Sequence, residues 1–369
     1  MEYLPFTKPF IDEETIQSVA EVLRSGWLAT GPNVREFEAQ LSAYLDGRIA
    51  KSFTSATGAL EVALQICGIG PGHEVITPAM SFTATPNVIM RVGAKPVFVD
   101  VDLKTRNIDL GQVEKAITPN TRAIMPVHFA GLSVDCSQLY DLARRHGLRV
   151  IEDAAHAIGT EWMGRKIGSF GDIASFSFHP NKNMTTIEGG ALSLSDQNEA
   201  KKLDQLRFHG IVRDSEGNQD VLSAGGKYNL SDVAARVGLG QLKQLDRFNE
   251  KRRNLAGHYF ECWKLKDCLL PQNGEGHSWH MFAPLIPFQK YDMTRQHFIG
   301  RMHEKGIGIG IHYPALHLFS LYRTLGYKEG DFPNAERIGR ETVTLPLFPM
   351  MEKKDVERVV EAISETIES

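Results

Sequence analysis

The chain has 369 residues, 42% hydrophobic and 23% charged, an ordinary balance for a globular protein but too long for one small core, so two domains are expected. A formal net charge of −4 gives no basic field for nucleic acid or an anionic membrane, and any phosphate must be held by a local site. The four cysteines (Cys67, Cys136, Cys262 and Cys268) form no CxxC pair, no apolar run reaches membrane-spanning length, and the start carries no signal-peptide pattern, so a reducing cytoplasm is the expected location.

In the first two-thirds, short β-branched or apolar runs alternate with helical patterns. Strands are predicted over 73–77, 96–101, 122–127, 149–153, 173–178 and 190–193. Helices are predicted over 58–67, 83–92, 110–116, 136–146 and 197–208. This alternation predicts an α/β fold with a mostly parallel sheet, helices on both faces and ligands at the carboxyl ends of the strands. A long helical pattern over 231–263, with Asn229 and Ser231 as capping candidates, has the length of a connector. Beyond it, strands over 282–287, 306–312 and 344–348 and helices over 294–305 and 353–367 predict a smaller α+β domain. The expected boundary places a large domain at 1–245, with 1–35 contributing to its site, and a small one at 246–369.

Three segments carry chemistry. In Ser175-Phe-Ser-Phe-His-Pro-Asn-Lys182-Asn183, an apolar strand runs into a lysine in irregular chain, and Gly189-Gly190 opens the next strand. A desolvated lysine has a lowered pKa and can form a Schiff base with an aldehyde cofactor, while Ser177 can offer a hydroxyl to a phosphate. Taken alone, Lys182 is more often a solvated loop residue. In Val150-Ile-Glu-Asp153-Ala-Ala-His156, the aspartate falls at a strand's carboxyl end. There it can pair with the protonated pyridine nitrogen of pyridoxal phosphate (PLP), and His156 can bond the ring hydroxyl or the carboxylate. The plainer alternative is an aspartate capping a helix; Glu152 alternates to the other face and reads as structural. In Thr54-Ser-Ala-Thr-Gly58, small residues precede an apolar helix whose N-terminus can receive a phosphate, although the same pattern also serves as an ordinary helix cap. No GxxxxGK[ST] loop is present, and no GxGxxG follows the first strand. Phe82 can stack on a pyridine ring, though a lone phenylalanine more often belongs to a core.

In this order, the segments resemble the DegT/DnrJ/EryC1/StrS family of sugar aminotransferases, PLP enzymes of fold type I. Further segments resemble the family's motifs: 25–32 (Ser-Gly-Trp-Leu-Ala-Thr-Gly-Pro), 72–78, 93–100, 207–210 (Arg-Phe-His-Gly), 227–232 and 345–349. The resemblance implies a seven-stranded-type sheet and PLP as cofactor. It assigns Lys182 as the cofactor-bearing and catalytic residue. It assigns Asp153, His156, Phe82, Ala56, Thr57 and Ser177 as cofactor contacts. It further implies that Asn229 reaches the phosphate of the other subunit in a homodimer with composite sites. Trp27, Thr30, His312 and Tyr313 are candidate substrate contacts. Phe82 stands where close relatives carry Trp, and Ile187 where many carry Gly or Ala. The implied substrates are a nucleotide-linked 4-keto sugar and L-glutamate. Amination at a 3-keto carbon shares every motif, and a PLP-binding sensor without turnover is the alternative of another class. The histidine pairs His277/His280 and His312/His317 lack a complete ligand set, and no metal is expected from them.

Overall fold

The computed structural model describes residues 2–368. Its centre is a seven-stranded sheet made of β1 (Ile49–Phe53), β2 (Glu74–Pro78), β3 (Lys95–Val99), β4 (Thr121–Ile124), β5 (Arg149–Asp153), β8 (Ile173–Ser177) and β9 (Gly190–Leu194), while β6 (Glu161–Trp162) and β7 (Arg165–Lys166) form a short hairpin, as do β10 (Ile211–Arg213) and β11 (Gln219–Val221). The sheet order is β1-β9-β8-β5-β4-β2-β3. Pairing is parallel from β3 through β8, and only β9 runs antiparallel to its two neighbours. Strands 5 and 8 are almost wholly buried, as a sheet covered on both faces requires. Helix Ala56–Ile66 crosses one face and buries Leu60, Val62, Ala63 and Leu64 almost completely. The helices at Leu110–Ala116 and Cys136–His146 cover the other face through Val113, Leu139 and Leu142.

Sequence reading missed β1 and the two helices before it, Glu13–Ser25 and Pro32–Tyr44. The expected single helix over 231–263 is two helices, Asp232–Leu242 and Leu245–Cys262. No proline breaks it; instead the chain turns through Lys243 and Gln244, the latter stretched to φ −107°. The break lets the second helix bury Leu245 in one core and Leu255, Ala256 and Tyr259 in the C-terminal core. Ser231 does cap the first helix, accepting from the Ala234 amide at 3.2 Å, whereas Asn229 points elsewhere.

The three strands expected after residue 263 are also corrected. Those segments form no continuous strand: they pair as isolated bridges, Phe282 with Leu345, Leu285 with Thr342 and Gly310 with Thr344, with hydrogen bonds such as Ile286 N to Glu341 O at 2.9 Å and Val343 N to Pro284 O at 3.2 Å between them. Pro284, Pro287, Pro346 and Pro349 supply no N–H, so the ladder they interrupt stays irregular. Among the described residues, no helix is long and apolar enough to cross a membrane.

Candidate active site

The loop from β8 to β9 carries Lys182. Its ends are clamped, since the Phe178 amide donates to Gly189 O at 2.9 Å and the Thr186 amide to Phe178 O at 3.0 Å. Next to the lysine, Asn183 is buried and donates through Nδ2 to Asn249 Oδ1 at 2.7 Å and to Ser278 O at 3.0 Å. Met184 is inserted into the core beside it. These anchors aim Lys182 into a cavity of about 340 Å³ that Asp153, His156, Ser177, His312 and Tyr313 also line. Burial brings the Lys182 ammonium down from 10.5 to about 8, against the pull of Asp153. The side chain is partly exposed because it opens onto the cavity, yet protein surrounds it over the distance that matters for solvating charge.

Asp153 ends β5 and is 5% exposed. Thr85 Oγ1 donates to its Oδ2 at 2.8 Å, and the Ala155 amide to its Oδ1 at 3.2 Å. Burial still holds the carboxyl above its usual range. Glu152 does face the other way, where it bonds His128 at 2.7 Å and the Tyr140 hydroxyl. His156 Nδ1 accepts from the Ala130 amide at 3.4 Å, and its Nε2 meets the Tyr313 hydroxyl at 3.3 Å. His280 lies against the His156 ring, 4.5 Å between centroids. Burial keeps both imidazoles neutral, well below their usual pKa.

At the far end, helix Ala56–Ile66 directs its first turn toward the cavity, with Ser55 capping the Gly58 amide at 3.1 Å. Ala56, Thr57 and Ser177 line this end. Gly190 makes the approach of β9 possible, because a Cβ there would stand 2.4 Å from Ala56 N. Phe82 lines the cavity wall at 56% exposure, 5.9 Å from the Tyr313 ring. The position that differs from many relatives, Ile187, has φ +72° and is 51% exposed at the tip of the lysine loop. A β-branched residue rarely adopts that conformation.

Three expected contacts are not brought to this cavity within one chain. Trp27 is 58% exposed, with its indole N–H 3.4 Å from Thr30 O. The Thr30 hydroxyl donates to Leu230 O at 2.7 Å and accepts from the Asn229 amide. The three form a group of their own beside the start of helix Asp232–Leu242.

The pattern of the DegT/DnrJ/EryC1/StrS aminotransferase family matches residues 9–364. The chain belongs to that family. The aminotransferase is 40% identical to the spore coat polysaccharide biosynthesis protein SpsC of Bacillus subtilis, over 99% of this chain and 97% of the relative. It is also 40% identical to UDP-4-amino-4-deoxy-L-arabinose–oxoglutarate aminotransferase of Shewanella sediminis, over 99% and 98%. Among solved structures, a Streptococcus pneumoniae protein classed as a sugar aminotransferase superposes with a TM-score of 0.93 at 31% identity, covering 99% of each chain, and was solved in both PLP and PMP forms. The fold is that of PLP-dependent sugar aminotransferases, and pyridoxal phosphate is the cofactor.

The residues of this aminotransferase fit the group. A primary amine, a buried carboxylate in no salt bridge among the described residues, an aromatic face and a helix N-terminus converge on one cavity. The sequence reading missed Thr85 and Asn183 as supports of Asp153 and Lys182. For Asn183 the signal was adjacency to the lysine; for Thr85, three residues after Phe82 on a helix start, there was none.

Proposed function

We propose that this aminotransferase moves an amino group from L-glutamate to the C4 keto carbon of a nucleotide-linked sugar, in the assembly of a surface polysaccharide or lipopolysaccharide. The carrying observation is that Lys182 and Asp153 face one cavity that the first turn of helix Ala56–Ile66 also lines. The Shewanella sediminis relative names a 4-amino sugar and oxoglutarate, the keto form of glutamate. The Bacillus subtilis relative names a polysaccharide pathway.

Bound PLP supplies an electron sink that makes a Cα–H bond acidic. Lys182 acts as the proton carrier: an amine held near 8 is partly unprotonated at neutral pH and can take a proton and return it at a neighbouring carbon. Asp153 keeps a cationic ring nitrogen in place, with Thr85 holding the carboxylate. Ala56, Thr57 and Ser177, which line the cavity, would hold the phosphate through amides and hydroxyls, and Phe82 would pack against the ring. His156 would hold the cofactor, and His312 and Tyr313 would meet the sugar.

The working unit is a homodimer in the cytoplasm. Trp27, Phe82, Ile187 and Phe208 are large apolar side chains, 58%, 56%, 51% and 41% exposed in the single chain, and a second subunit would cover them. Asn229, Trp27 and Thr30 of one subunit then complete the other's cavity. The four cysteines are free, as suits a reducing compartment.

The test incubates enzyme, glutamate and a panel of 4-keto and 3-keto nucleotide sugars, with products read by mass and NMR. Amination at C4 is expected; a panel aminated only at C3, or not at all, refutes the reading. Lys182→Ala is expected to fold and to lose turnover.

A further inference from the structure

Helix Leu245–Cys262 and the C-terminal helix Lys353–Glu368 pack through Leu255, Tyr259, Val356 and Val360. Beside that contact, three different kinds of metal ligand converge, and none of them lines the Lys182 cavity. His258 and Cys262 are four residues apart and share one face of the first helix. Glu357 comes from the second helix. His258 Nε2 lies 2.9 Å from Glu357 Oε1 and 3.4 Å from Cys262 Sγ, and donors of the three side chains all lie within 4.8 Å of one another. We propose that these three side chains form a site for one divalent cation of the zinc class, with water as the fourth ligand.

Geometry is the first support. With usual zinc bond lengths and tetrahedral angles, ligating N and S atoms stand about 3.6 Å apart, and N and O atoms about 3.4 Å. The separations of 3.4 and 2.9 Å need only a small opening to admit the ion. Orientation is the second support. Glu261 Oε2 lies 2.9 Å from His258 Nδ1 and can accept its proton, which leaves Nε2 free to ligate. A carboxylate behind the imidazole is the usual outer partner of a metal-bound histidine. The ring is also held in place, with the His258 side chain only 11% exposed.

Ligand chemistry selects the ion. One thiolate, one imidazole and one carboxylate offer too few oxygens for Ca²⁺ or Mg²⁺ and match the borderline-soft zinc ion. On binding, the Cys262 thiol proton passes to solvent. Thiolate and carboxylate then balance the ion's two positive charges, and no redox step is involved. The ion would tie the connector helix to the C-terminal helix without touching the chemistry at Lys182. The H-x-x-x-C spacing was legible in the sequence, but its carboxylate partner comes from 95 residues beyond Cys262 and was not.

The test uses the full PLP-loaded chain, stripped with a chelator, dialysed against Zn²⁺ and counted by elemental analysis. One equivalent per chain is expected, together with a rise in melting temperature. Cys262→Ser is expected to weaken zinc binding about a hundredfold or more and to abolish the rise. Glu261→Gln, which alters only the outer partner, is expected to weaken it about 10- to 100-fold. Co²⁺ in place of Zn²⁺ gives a thiolate charge-transfer band that Cys262→Ser removes. Glu357, 58% exposed in its side chain, can be changed without disturbing the core, so Glu357→Gln decides the matter if Cys262→Ser fails to fold. All folded variants keep transaminase turnover. Absence of stoichiometric zinc at tens of micromolar free metal, about the weakest affinity at which binding would matter at all, overturns the site. So does equal binding by wild type and the ligand variants.

Discussion

Replacing Thr85 by valine isolates one hydrogen bond at the buried carboxylate. Thr85 Oγ1 donates to Asp153 Oδ2 at 2.8 Å, and the two residues are 0% and 5% exposed. Burial drives the Asp153 pKa up, and the Thr85 hydroxyl is the largest influence opposing it. Valine keeps the shape and removes the donor. A hydrogen bond to a buried charge contributes about 1.5–3 kcal/mol, and about 1.4 kcal/mol is tenfold in rate. Under the proposed roles, the half-reaction with glutamate as donor would need Asp153 ionised against the ring nitrogen, so its rate constant is expected to fall roughly 10- to 100-fold. Single-turnover stopped flow reads this from the visible absorbance of the bound cofactor. Thr85→Ser restores the donor and should recover most of the rate. Ser81 Oγ lies 2.9 Å from Thr85 Oγ1 and is left unsatisfied in the valine variant, which adds to the penalty. A valine variant within twofold of wild type, or a serine variant no better than valine, refutes the assignment of Thr85 as the support of Asp153.

Two further predictions rest on the same cavity. In cofactor-free protein, Lys182 is held near 8 against its ordinary 10.5, so below pH 8 it is charged in both the folded and unfolded chains and its burial costs stability. Between those values the unfolded chain keeps a proton the folded one has lost, and stability rises with pH. Lys182→Met is therefore expected to stabilise cofactor-free protein at pH 7 by about 1–3 kcal/mol, the lower figure allowing for water in the cavity. Urea melts at pH 7 and pH 10 should show that advantage shrinking, and an unchanged advantage counts against the electrostatic origin. Gly190→Ala would place a Cβ 2.4 Å from Ala56 N and 2.6 Å from Ser55 C, backbone atoms that cannot step aside. Parting β9 from the helix start should cost roughly 1–3 kcal/mol of stability and weaken PLP binding about tenfold or more; a PLP titration matching wild type would show that the close approach is not needed.

Most of the sheet was legible because its strands are buried on both faces and read as continuous apolar runs; Val150-Ile151 followed by Asp153 is the clearest. Strand β1 was not, because an edge strand with Lys51 and Ser52 in five residues has no such run. The helix break at Gln244 leaves no proline or glycine and was invisible for that reason. In the C-terminal region the apolar pattern over 282–287, 306–312 and 344–348 reads as strands, but the prolines there leave only isolated bridges among the described residues. At the site, Lys182, Asp153, His156, Ser177, Phe82, His312 and Tyr313 do converge. The group at Trp27, Thr30 and Asn229 stands apart, and no pattern within one chain could say which cavity it serves.

The charge arrangement explains why so ordinary a composition can hold a dianionic cofactor. Among the described residues that line the cavity there is no arginine, and the single lysine must be free to lose its proton. A second fixed cation would compete for Asp153 and drive Lys182 lower still. In the proposed arrangement the phosphate would instead rely on a helix N-terminus and hydroxyls, which attract an anion without adding a titratable charge. The histidines obey the same constraint. His156 and His280 are held neutral by burial, and His312 is pushed down to about 4, with Lys182 contributing to all three shifts. Any one of them, once protonated, would repel the Lys182 ammonium and favour its deprotonation for the wrong reason, at the expense of the carboxylate–ring pairing. Keeping them neutral leaves Lys182 and Asp153 as the opposed buried charges of the cavity, with Glu188 exposed on its lining, so that under the proposed roles a proton moved by the lysine would be felt mainly by the group that pairs with the ring.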